Sequence, residues 1–278
     1  MPRSTTSAGT KRPLLGLLLI LELIVAVTLV SRPDHAAPVP VPVATPTTSA
    51  VASSTTTVAD GRTVELVSLG GPATQPLLAR VSGAMDDASR AVTAFWGTEW
   101  PRDIVVVATA SDEQFRALAG GGSDIAAATI GQRIVFAPGA GGMSDSALRI
   151  VLRHELFHYA ARAKTAADAP RWLTEGVADF VGRPETPRPG RQRAAEMAQL
   201  PSDADLDTEG ATRTLASDRA WWFARFVADR YGTSRLRQLY ERACGQGHAD
   251  IPTAVSETLG ADLGEVLAGW RRWLSQIA

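Results

Sequence analysis

Two of the chain's four histidines, His154 and His158, stand four residues apart in RHELFHYA, residues 153–160, inside an apolar run with helical spacing. On a helix such positions differ by about 40° in azimuth and about 6 Å in height, so both imidazoles project from one face. Neutral imidazoles placed this way can share a single divalent ion at about 2.0–2.1 Å. Glu155 lies beside the pair, where its carboxylate can reach a water on that ion without becoming a ligand, as a general base must. Packing does not explain the motif, because two His and a Glu in place of aliphatic residues make IVLRHELFHY a poorer core helix.

A catalytic zinc site needs three protein ligands and an open position. The extended pattern H-E-x-x-H-x-x-G-x-x-H is excluded, since Ala161 and Lys164 occupy its Gly and final His positions. Another large class of proteins with this pentad supplies a Glu from a second helix downstream, commonly followed four residues later by Asp. APRWLTEGVADFVG, residues 169–182, sets Glu175 and Asp179 four apart on one helical face, leaving Leu173, Val177, Phe180 and Val181 to face a core. Two adjacent carboxylates repel unless a cation lies between or beside them. Asp168 and Glu185 are the fallback ligands.

Together the two segments resemble the gluzincin zinc metallopeptidases, the thermolysin-like clan and its peptidase MA-like branch, in which H-E-x-x-H is followed by W-x-x-E-G-x-A-[DE]. The matching residues are His154, Glu155, His158, Trp172, Glu175, Gly176, Ala178 and Asp179. The resemblance, spanning residues 60–278, implies one Zn2+ per chain held by His154, His158 and Glu175. It makes Glu155 the base and Asp179 the residue that orients a ligating imidazole, that of His154, through its second nitrogen. The implied reaction is hydrolysis of a peptide or protein substrate by Glu-assisted attack of zinc-bound water. The clan binds extended peptide along an edge strand ahead of the metal helix, for which AAATI or RIVFA can serve. One departure stands out: the clan often carries an oxyanion-stabilising Tyr or His on a later helix, where this chain has Ser217. Tyr159, Arg219 and Tyr231 are the substitutes. The missing tyrosine keeps open a catalytically weak or inactive zinc-binding scaffold, and a zinc hydrolase of a non-peptide amide is a further alternative.

The elements that must position these residues read as α+β: an N-terminal mixed sheet with helices, the H-E-x-x-H helix, then a helical C-terminal subdomain. Strands are expected at residues 63–69 and 103–110, a hairpin-like pair at 126–138 broken at Gly131 and Gln132, and a helix at 77–96. A short helix capped by Ser111 or Asp112 follows the second strand. Helical spacing marks 169–181, 216–231, 234–244, 251–259 and 263–277, whereas GRPETPRPGRQR is too rich in Pro and Arg for a core element. Trp270 and Trp273 are expected in the core.

The amino terminus differs from the rest. LLGLLLILELIVAVTLV, residues 14–30, is just long enough to span a bilayer. Glu22 costs roughly 3 kcal/mol at mid-span, but each Leu, Ile or Val returns about 0.3–0.6 kcal/mol, so insertion wins. Arg3, Lys11 and Arg12 precede the span and orient it. The expected layout is a cytoplasmic leader (1–13), a signal-anchor (14–30), a disordered Pro/Thr/Ser/Ala stalk (31–59) and an extracytoplasmic peptidase domain (60–278) on a single-pass cell-membrane protein. Secretion after signal cleavage is the alternative. A net charge of -1 without basic clusters argues against nucleic acid as a partner. The lone Cys244 allows no intrachain disulfide and reads as a semi-buried small hydrophobe on a helix, and His35 and His248 read as exposed. Oligomeric state has no signature in the sequence.

Overall fold

The structure, a computed structural model, describes residues 51–120, 125–189 and 191–276. The expected leader, membrane span and all but the end of the stalk lie outside the described residues. Among the described residues no helix is long and apolar enough to cross a membrane.

Five strands form one mixed sheet: β1 (Ala52–Thr57), β2 (Thr63–Ser68), β3 (Asp103–Ala108), β4 (Ala127–Ile130) and β5 (Arg133–Phe136), ordered β1-β2-β3-β5-β4. The inner strands β2, β3 and β5 are parallel, while β1 and β4 close the two edges antiparallel to their neighbours. Helix α1 (Gln75–Trp96) provides the crossover from β2 to β3, and α2 (Asp112–Ala119), capped by Ser111, follows β3. The turn between β4 and β5 has Gly131 at φ 60, the glycine-first form whose twist suits a two-residue hairpin. Strand residues alternate between two cores. Val64, Ile104, Val106, Ile134 and Phe136 face the main one, and Val107, Ala128 and Val135 pack with Phe115 of α2 on the other.

Beyond the sheet come α3 (Asp145–Ala161), α4 (Arg171–Gly182), α5 (Arg191–Met197), α6 (Asp203–Asp207), α7 (Ala211–Tyr231), α8 (Thr233–Cys244), α9 (Ile251–Leu259) and α10 (Leu263–Ser275). The α+β expectation holds for the described residues. Two short helices, α5 and α6, had no clear apolar spacing to announce them. The expectation of a structureless segment through residue 59 is corrected at its end, where ASSTTT forms β1 paired along its whole length with β2. Its residues are mostly exposed, so backbone pairing and the strand preference of Thr hold it in place of apolar burial.

Helix α3 is the central element, buried along nearly all of its second half. Ser144 caps its start, and Arg80 of α1 grips the same end, pairing with Asp145 at 2.8 Å and donating to the carbonyls of Gly141 and Met143. Farther along, Arg153 pairs with Asp87 of α1 at 2.6 Å. Helix α4 begins after Pro170 without a cap of its own, and a distant residue supplies one. The Asp203 carboxylate accepts from the amides of Arg171 at 3.1 Å and Trp172 at 2.9 Å. Two glycines let α4 lie close to its neighbours. A Cβ on Gly176 would stand 2.6 Å from the Ala220 carbonyl oxygen on α7, and one on Gly182 would stand 3.0 Å from the Ile150 carbonyl oxygen on α3. Helix α4 is thereby clamped between α3 and α7.

Candidate metal centre

Helix periodicity sets His154, Glu155 and His158 on α3, and the α3–α4 contact brings Glu175 to them. Their potential ligand atoms form a tight triangle. His154 Nε2 lies 3.2 Å from His158 Nε2 and 3.3 Å from Glu175 Oε2, and His158 Nε2 lies 3.8 Å from that same oxygen. Donors about 2.05 Å from a tetrahedral ion stand about 3.3–3.4 Å apart, which two edges of the triangle approach, while the His158–Glu175 edge, at 3.8 Å, is longer. All three side chains are buried. The second carboxylate oxygen, Glu175 Oε1, is buried with no hydrogen-bond partner, a costly state for an anion without a cation beside it.

Asp179 is fully buried one turn beyond Glu175. Its Oδ1 is 3.0 Å from His154 Nδ1, which assigns the ring proton to Nδ1 and leaves the Nε2 lone pair directed at the triangle. Its Oδ2 forms an ion pair with a guanidinium nitrogen of Arg183 at 2.7 Å. Arg183 also donates to Asp218 of α7 at 2.8 Å. Burial pulls the Arg183 pKa down, but Asp179 and Asp218 together outweigh it and hold the guanidinium more firmly charged than usual. At formal charges the buried set contains three carboxylates, Glu155, Glu175 and Asp179, against this one guanidinium. A proton shared between the imidazoles restores one charge, and a divalent ion restores both. The residues present therefore fit a divalent metal with two imidazole ligands and one carboxylate.

The other sequence-derived candidates are not in this cluster. Asp168 is exposed and faces His248 at 3.4 Å, and Glu185 is exposed. His248 is itself half-buried, short of the exposure expected for it. Tyr159 donates its phenol to the Asp103 carbonyl, at the sheet, and burial followed by the Asp103 charge raises its pKa. Arg219 donates to the Glu196 carbonyl at 2.9 Å, and Tyr231 packs edge-on against Phe226. Ser217 is buried on α7. Trp270 and Trp273 are buried, as expected of core residues, whereas Cys244 is fully buried, deeper than the semi-buried position expected, and burial pushes its thiol well up. Sequence reasoning missed Arg183, Asp218 and Thr129. The first was readable as an (i, i+4) partner of Asp179, whereas nothing local pointed to Asp218.

No family model matches the sequence, and no curated protein matches it. Solved structures do. A variant of a two-domain M1 zinc metallopeptidase bound to L-arginine is similar with a TM-score of 0.51 at 15% identity, covering 82% of this chain and 52% of that one. The M1 zinc metallopeptidase from Deinococcus radiodurans is similar with a TM-score of 0.50 at 16% identity, again covering 82% and 52%. The fold of the described residues is similar to that of these M1 zinc metallopeptidase structures. At this identity the likeness concerns the fold, and the chain spans about half the length of those structures.

Proposed function

We propose that this chain is a membrane-anchored, extracytoplasmic zinc metallopeptidase that hydrolyses peptide bonds. The observation that carries the reading is the Glu175 carboxylate, buried within 3.3 and 3.8 Å of two imidazole nitrogens, close enough for all three to share one ion. His154, His158 and Glu175 hold the metal. Zinc at that position supplies Lewis-acid polarisation of a carbonyl and acidification of water. Glu155 takes the proton of the attacking water and returns it to the leaving amine. Asp179 retains the Nδ1 proton of His154 and so keeps Nε2 available for ligation. Strand β4 is a sheet edge, the kind of element along which an extended peptide can add by backbone pairing. The anchor is the apolar segment 14–30, and the domain beyond it faces away from the cytoplasm.

The test is to purify the full chain, measure bound metal, and assay cleavage of a peptide library alongside Glu155→Gln. The expected result is one zinc per chain in both proteins and hydrolysis only in the unaltered one. Absence of zinc overturns the reading. Stoichiometric zinc with no cleavage at any pH supports a zinc-binding scaffold instead, a reading favoured by Ser217 where the resembled clan often carries a Tyr or His.

A further inference from the structure

Resting on the peptidase reading, we infer that Thr129 is a positioning residue for Glu155, tying the edge strand of the sheet to the proposed base. Thr129 is buried on β4, where it pairs in register with Ile134 of β5. By the period-2 alternation it shares its face with Ala127, which lies in the main apolar core with Ile134 and Phe136. Valine has the same shape and an equal preference for strands, so packing gives no reason for a hydroxyl at this position.

The hydroxyl's surroundings do. Its oxygen is 2.8 Å from Glu155 Oε2 and 2.9 Å from the Glu155 backbone carbonyl. One hydrogen serves two acceptors. The carbonyl lies within α3, where the helix ladder directs the Tyr159 amide to it, and a carboxylate is the stronger, charge-assisted acceptor. The hydrogen therefore belongs to Oε2. Engaging one carboxylate oxygen restricts the rotation of a buried Glu155 side chain and so fixes where the base stands. It also makes β4 and the base one unit, so that a substrate strand lying along β4 is registered against the group that deprotonates the attacking water.

The experiment compares the full chain with Thr129→Val and Thr129→Ser. Valine should lower kcat roughly 10- to 100-fold, the loss expected for a hydrogen bond to a charged group, with KM and zinc stoichiometry little changed. Serine restores the hydroxyl and should keep kcat within about threefold of the unaltered chain. A second readout does not depend on turnover. Infrared difference spectra of the zinc-free proteins should show a shifted carboxylate stretch in Thr129→Val, and that shift should vanish when valine is introduced into Glu155→Gln. Unchanged kcat in Thr129→Val, an equal loss in Thr129→Ser, or no Glu155-dependent infrared shift overturns the assignment. If the unaltered chain cleaves no peptide, the peptidase reading fails on its own account, and the infrared arm still decides the contact.

Discussion

Replacing Gly176 with alanine should separate α4 from α7 and weaken metal binding at a distance from any ligand atom. The added Cβ would meet the Ala220 carbonyl oxygen at 2.6 Å, the Ala220 carbonyl carbon at 2.8 Å and the Ala220 Cβ at 3.0 Å. Ordinary contact begins near 3.4 Å, so the helices must part by about 0.8 Å at this point. The obstacle is backbone, which cannot swing aside as the tip of a side chain can. Overpacking of this kind costs roughly 2–3 kcal/mol, and the better helix propensity of alanine offsets about 1 kcal/mol, leaving a net loss of about 1–2 kcal/mol. For a domain of this size that is a fall in Tm of roughly 2–8 °C in the zinc-free protein. Glu175 precedes the substituted residue, and metal ligation tolerates displacements of only about 0.2 Å, so zinc affinity should fall at least about tenfold in a chelator competition. Two comparisons isolate the cause. Gly83 is exposed on α1 with open space around it, so Gly83→Ala should raise Tm by the propensity gain alone. Adding Ala220→Gly to Gly176→Ala should not rescue it, because the closest obstacles are the carbonyl atoms that glycine retains. A Gly176→Ala protein with unchanged Tm and unchanged zinc affinity refutes the reasoning.

Asp179→Asn should weaken zinc binding about 10- to 100-fold by removing the carboxylate that orients His154, and an affinity within twofold of the unaltered chain contradicts that role. Tyr159→Phe strips a hydrogen bond from the Asp103 carbonyl and should cost about 1–2 kcal/mol in urea unfolding, while kcat per zinc-loaded molecule stays the same. A tenfold fall in kcat would instead return Tyr159 to the candidates for oxyanion stabilisation. Asp250 and Asp205 have pKa values lowered first by backbone amides, of Thr253 and Ser202 respectively, and Glu257 has one lowered by Arg242. Groups depressed in the folded state contribute stability above their unfolded pKa and lose it as pH falls through the folded one. The zinc-free chain should therefore lose Tm as pH drops below about 4, and Asp250→Asn should show a shallower decline over that range. An identical slope removes Asp250 from the explanation.

Short-range periodicity made much of the site legible without coordinates. Residues four apart on a helix share a face wherever the helix goes, so His154 with His158, and Glu175 with Asp179, could each be paired from the sequence, and Glu155 placed beside the first pair. The inner strands, the hairpin at Gly131 and most helices follow from similarly local patterns. Strand β1 escaped because the run ASSTTT is polar: its order depends on a partner edge, which composition does not reveal.

Everything that joins distant parts of the chain was decided by packing. Whether Glu175 meets the two imidazoles depends on how closely α4 approaches α3 and α7, which rests on Gly176, Gly182 and a cap donated by Asp203 from more than thirty residues away. The same holds for Thr129 against Glu155, for Asp218 against Arg183, and for Tyr159, whose phenol is turned towards the sheet. A local pattern states which face a side chain occupies. Only the packed interior, where a difference of less than an ångström separates contact from clash, states what that face meets.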